Sequence, residues 1–221
     1  VAWQLWERWI SEIVADFWAV ARVGIASTTG LIAVVSLPRA FVFRIGLDDP
    51  HPFPWFRVKL SCAIGGALHP DRQWEQLSRV WDSFYPIASL DETRRDLLSR
   101  LQRTIPEFID LLLRHRPAAL RGKTIPEVLA VQERTPRRLR ERWQAWRTDR
   151  SLMRAAKPTL AFAVIGQARA DGAISPHTES QILGELLTRW AVEDAIGRGR
   201  STSIPNRITN GIRNADASLT R

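Results

Sequence analysis

The segment from Trp3 to Val23 repeats its apolar side chains at a helical period, and it carries two acids on a flank that is otherwise apolar. At about 100° per residue, Gln4, Arg8, Ser11 and Arg22 form a polar stripe, and Trp6, Ile10, Ile13, Phe17 and Val20 an apolar one. Glu12 falls among Leu5, Trp9, Ala19 and Val23, and Asp16 lies further round still. Residues four apart share a helix face. A carboxylate removed from water without a cation or donor is costly. The pair therefore requires a partner: a metal, an arginine or backbone N–H groups.

The next segments set where that partner comes from. Val23 to Leu37 is apolar but short of the roughly 20 residues a membrane span needs, so a buried helix and no span are expected. Pro38-Arg39 ends it. Phe41-Val42-Phe43, within residues 40–45, is β-prone and reads as a short edge strand. Asp48-Asp49-Pro50 opens a turn, and His51-Pro52-Phe53-Pro54-Trp55-Phe56-Arg57-Val58-Lys59-Leu60 follows.

A Glu-x-x-x-Asp helix followed by His-Pro-x-Pro-x-x-Arg-Val-x-Leu resembles the second half of the gluzincin-type zinc metallopeptidases, in the order shown by the HtpX-like and CAAX-prenyl-protease-like families. The resemblance covers roughly residues 7–62. It implies that Glu12 is the third protein ligand of a zinc ion. Asp16 would orient a ligand or pair with an arginine, Arg57 would hold the two carboxylates, and His51 would lie near the substrate oxyanion as a catalytic residue. Such a zinc takes three protein ligands and one water, whose pKa it lowers. The families supply the other two ligands from an H-E-x-x-H helix. No such motif occurs here: the histidines are His51, His69, His115 and His177, and no two stand four apart. That helix must come from an upstream part of a longer chain or from another chain, unless it has been lost. Val1, rather than methionine, opens the sequence in mid-element, which fits a fragment. Glu12, Asp16 and Arg57 also suit a plain buried ion cluster that holds three helices together.

Beyond Ser61 the sequence reads as helical packing. Trp74, Leu77, Val80, Trp81 and Phe84 share a face before Pro86. Ser89-Leu90-Asp91-Glu92 fits a capping box, and Pro106 a break or new start. Gly122-Lys123-Thr124 is no phosphate loop, because Pro117 stands where a glycine is required; Thr124-Ile125-Pro126-Glu127 is a helix start. Thr135 to Met153 is a basic amphipathic helix with Leu139, Trp143 and Trp146 inward. Asp171-Gly172-Ala173-Ile174-Ser175-Pro176-His177-Thr178-Glu179 is a joint between helices, and it resembles that of tellurite-resistance-B-like helical domains.

The expected fold is mainly α: residues 1–86 as the C-terminal part of a metallopeptidase-like core, 87–200 as a helical appendage and 201–221 as a basic tail. The lone cysteine, Cys62, lies in a small apolar run and fits a buried residue of a reducing, cytoplasmic protein. The net charge of +9 is almost all arginine, mostly interleaved with acids, so nucleic acid is not an expected partner. Two functions stay open. One is a part of a zinc-dependent peptidase acting on a peptide or protein substrate. The other is a non-catalytic helical interaction module that binds an acidic protein partner through its arginines.

Overall fold

In the computed structural model, residues 2–46 and 48–201 are described, with side chains to residue 196. The first helix, α1 (Ala2–Val23), buries Leu5, Trp6, Trp9, Ile13, Phe17, Val20 and Ala21. Its buried arc is rotated from the expected stripe toward Leu5 and Trp9. Ile10, assigned inward by the periodicity, is exposed, as are Trp3, Val14 and Trp18. The rotation sets Glu12 and Asp16 at the margin of the core.

Gly24, with φ of 64°, turns the chain from α1 into α2 (Ile25–Val35). This helix buries only Ile25 and Thr28, and Val34 is 75% exposed, so the expectation of a buried helix is corrected. Its polar break has a purpose, since the Thr28 and Ser61 hydroxyls share a buried hydrogen bond of 2.7 Å. The expected edge strand at residues 40–45 is also overturned. Pro38 leads into a one-turn helix, α3 (Arg39–Val42), and no strand occurs among the described residues. β-prone side chains without a neighbouring strand to pair with have no reason to extend. Here Val42 and Phe43 enter the core while Phe41 stays exposed.

Pro54 sits in the first turn of α4 (Pro54–Leu68), the most buried helix of the fold. It packs against α1, α5 (Gln73–Phe84) and α6 (Glu92–Arg114). In α5 only Trp74 and Trp81 of the expected face are buried; Val80 and Phe84 are exposed. The cap of α6 is Asp91, which accepts from the Arg94 amide at 2.9 Å, rather than Ser89. The helix runs on through Pro106 instead of breaking there. Thr124 and Glu127 form the expected capping box of α7 (Ile125–Leu129). The basic helix stops early. Asp149 ends α8 (Pro136–Thr148) and caps α9 (Arg150–Arg154) by accepting from the Ser151 amide at 2.8 Å.

After α10 (Pro158–Ala170) the joint forms as expected. Gly172, at φ of 72°, lets its own amide reach Arg169 O (3.1 Å) and that of Ala173 reach Ala168 O (2.9 Å). Ser175 then caps α11 (Pro176–Ser201), accepting from the Thr178 amide at 3.1 Å. The fold is mainly α, and no helix among the described residues is long and apolar enough to cross a membrane.

Tryptophan holds the core together. The Trp6 ring stacks on Phe108 with centroids 4.2 Å apart and meets Phe56 at 5.3 Å, joining α1, α6 and α4. Leu98, Leu101 and Ile105 of α6 belong to the same apolar cluster as Trp9, Trp55 and Trp74. The core therefore runs across the boundary expected after residue 86. The chain divides instead into a compact unit of residues 1–180 and a second of residues 181–221. The second unit contains most of α11, and the expected basic tail from residue 202 lies outside the described residues.

Candidate functional site

Glu12, Asp16, His51 and Arg57 come together. Asp16 is one helical turn beyond Glu12 on α1, and Arg57 stands on the first turn of α4, which packs alongside. The Arg57 fork donates to Asp16 through Nε at 2.7 Å and Nη2 at 2.8 Å, a bidentate pair. Nη2 also lies 3.3 Å from Glu12 Oε2. The guanidinium is held protonated above its ordinary range, first by the Asp16 hydrogen bonds, against the opposing effect of its own burial. The two acids are not equivalent. The Asp16 side chain is 16% exposed and takes the fork, whereas Glu12 is 31% exposed and takes one longer contact.

His51 reaches the cluster from the turn before α4. Its amide and its Nδ1 both contact Asp49 Oδ1, at 2.9 and 3.0 Å. These contacts hold the Asp49 carboxyl below its usual range, the amide contributing most. Trp9 Nε1 donates to the Asp49 carbonyl at 3.1 Å, which anchors the turn to α1. The His51 Nε2 atom is thereby aimed at Glu12 Oε1, 3.7 Å away. Asp49 and Trp9 are the residues that the sequence pattern missed. An Asx turn across Asp49-Pro50-His51 was the available signal.

His51 and Arg57 line a cleft of about 290 Å³ whose apolar walls are Val35, Phe41 and Phe53. The donor set suits zinc in kind. Zinc takes carboxylate oxygens such as those of Glu12, and Asp49 on the far ring nitrogen fixes the orientation of His51 beside it. In number the set falls short. Among the described residues no three His, Cys, Asp or Glu side chains gather to hold a metal. These residues alone do not make a catalytic zinc centre.

The rest of the first unit offers less chemistry. A larger cavity of about 370 Å³ between α4, α5 and α6 is lined by Lys59, Cys62, Trp74 and Pro106 among others. The Lys59 ammonium is committed to Ser78 and Asp82, both at 2.6 Å. Burial pushes the Cys62 thiol up to about 12, so it is not a nucleophile at neutral pH. His69 is the C-cap of α4 and only 1% exposed. His115 is the exposed C-cap of α6. Comparison with known protein families, with curated proteins and with solved structures returns no match for this chain.

Proposed function

We propose that this chain supplies one part of a zinc-dependent peptidase site. In this reading Glu12 is a metal ligand, Asp16 and Arg57 are positioning residues, and His51 stands on the substrate side at the cleft wall. The remaining ligands come from an H-E-x-x-H helix outside these 221 residues, and the substrate is a peptide or protein. The observation that carries the reading is the inequality of the two acids. Asp16 absorbs the Arg57 fork, so Glu12 is held in place while Oε1 keeps no hydrogen bond and faces His51 Nε2. Zinc, when bound, would supply an activated water and polarise the scissile carbonyl. The residues of this chain orient: Asp16 fixes Arg57, Arg57 fixes Glu12, and Asp49 fixes the ring of His51.

The second reading is the interaction module, and Arg57 favours it. Its guanidinium already contacts both carboxylates, so each acid has a cationic partner without a metal. Zinc content of the full-length product of the gene separates the two. The peptidase reading expects about one zinc per chain, lost together with peptide hydrolysis in Glu12→Ala while the far-UV CD spectrum stays unchanged. Zinc stoichiometry that ignores Glu12→Ala, or no zinc in any form of the protein, overturns it.

A further inference from the structure

Many arginines elsewhere in this chain are neutralised locally, although some, Arg95 and Arg103 of α6 among them, stand without a carboxylate among the described residues. Arg79 pairs with Glu75, Arg94 with Asp91, Arg100 with Asp96, Arg114 with Asp110 and Arg189 with Glu193, each three or four residues away on its own helix. The stretch from Arg134 to Lys157 differs in its density of positive charge. It holds nine basic residues against two acids, Glu141 and Asp149. Glu141 is taken by Arg137, and Asp149 is engaged as the cap of α9. Arg140 is bound to Asp171 and Asp71, and Arg134 is buried with Nε on the Arg22 carbonyl. Arg138, Arg142, Arg147, Arg150, Arg154 and Lys157 are left without a carboxylate among the described residues. All but the half-buried Arg142 are exposed.

We infer that the α8–α9 surface binds an acidic peptide segment of a partner protein, one with an apolar residue among its carboxylates. Five uncompensated cations on two consecutive helices, with Lys157 just beyond them, raise a local positive potential that favours an anionic partner, and a guanidinium fork matches a carboxylate two bonds at a time. Leu152, 47% exposed between Arg150 and Arg154, adds one apolar anchor in the middle of the charge. Two other anionic partners fit less well. Single-stranded nucleic acid uses exposed rings for base stacking, whereas Trp143 and Trp146 are turned into the core. A bilayer surface is bound through an apolar stripe, and the stripe of α8 is already spent on packing, with Leu139 1% exposed. The inference does not depend on whether Glu12 meets a metal.

The test is fluorescence anisotropy on the intact protein with three probes: a labelled twelve-residue peptide of glutamates interrupted by leucine, a duplex oligonucleotide, and vesicles of anionic lipid. The peptide is expected to bind most tightly. The double reversal Arg150→Glu/Arg154→Glu should weaken it by at least about tenfold, from two lost charge pairs of roughly 1 kcal/mol each. The control reversal Arg95→Glu/Arg103→Glu on α6, which changes net charge equally, should leave it nearly unchanged. Leu152→Ser should weaken the leucine-containing peptide and not an all-glutamate one. Equal loss in the control, or tighter binding of duplex or vesicles than of peptide, overturns the inference.

Discussion

At the scale of single residues, the Glu12–Asp16–Arg57 triangle makes a prediction that the two functional readings answer differently. Removing Asp16 leaves a half-buried guanidinium with one weak contact, so Asp16→Ala should cost about 2–3 kcal/mol in denaturant unfolding, discounted from a fully buried pair for partial solvent access. Glu12→Ala should cost under about 1 kcal/mol, because its contact is single and longer. A reversed order would make Glu12 the structural carboxylate and remove the main support for a ligand role. His69 predicts a pH effect. Both ring nitrogens are buried without a well-aligned hydrogen bond, and burial depresses the imidazole pKa from 6.5 to about 4, the nearby Val20 and Ala21 carbonyls offsetting part of that and Arg134 adding slightly to it. The unfolded chain takes up this proton near pH 6.5 and the folded chain only near 4. Stability is therefore untouched above 6.5 and falls between 6.5 and 4, by about 3 kcal/mol in all. Melting temperature against pH should lose that part of its slope in His69→Leu. The Arg57 pairing was legible in the sequence, because acids on an apolar flank oblige a cation to be near. The His69 burial was not: a histidine before proline looks like a turn, and only the packing of α4 against the C-terminal end of α1 encloses it.

Helix packing supplies a matched pair of glycine predictions. At Gly65 of α4 an added Cβ would lie 2.3 Å from the Trp74 ring, which is itself buried. Gly65→Ala should therefore destabilise by about 3 kcal/mol through overpacking. At Gly30 of α2 nothing lies within 4 Å, and the position is exposed. Gly30→Ala should stabilise by about 0.5–1 kcal/mol, since helical glycine costs backbone entropy. Thermal unfolding of the two variants with opposite signs of shift is the check. Termini of elements were readable where side chains make their own cap, as at Thr124 and Ser175. They were misread where two caps compete, as Asp91 does with Ser89, and where a single acid, Asp149, interrupts an otherwise unbroken amphipathic pattern. Phe41-Val42-Phe43 failed for another reason: β-propensity measures fit to a sheet, and this chain forms no sheet there.

For the molecule as a whole, the aromatic cluster has to melt at once. Trp6, Phe56 and Phe108 come from three helices on both sides of Pro86. The stretches 1–86 and 87–180 should thus unfold in a single transition, with near-UV and far-UV CD midpoints coinciding in denaturant. Two separated midpoints would restore a boundary at residue 86. The apolar periodicity spoke correctly for a mainly helical chain packed on an apolar core. It could not say how far that core extends, because a proline after an aromatic helix looks the same whether the next helix leaves the core or returns to it.

Seven of the ten tryptophans are buried, while Trp3 and Trp18 remain 43% and 48% exposed on one edge of α1, about four turns of helix apart. That edge is a natural optical gauge. The two indoles emit from a watery environment and are open to collisional quenchers, whereas the enclosed seven emit further to the blue and are shielded. Iodide should extinguish the red component alone, and a double Trp3→Phe/Trp18→Phe protein should lack it. Whatever comes to lie along α1, in a longer polypeptide or a complex, would then be read out as a lost red shoulder, without any label added.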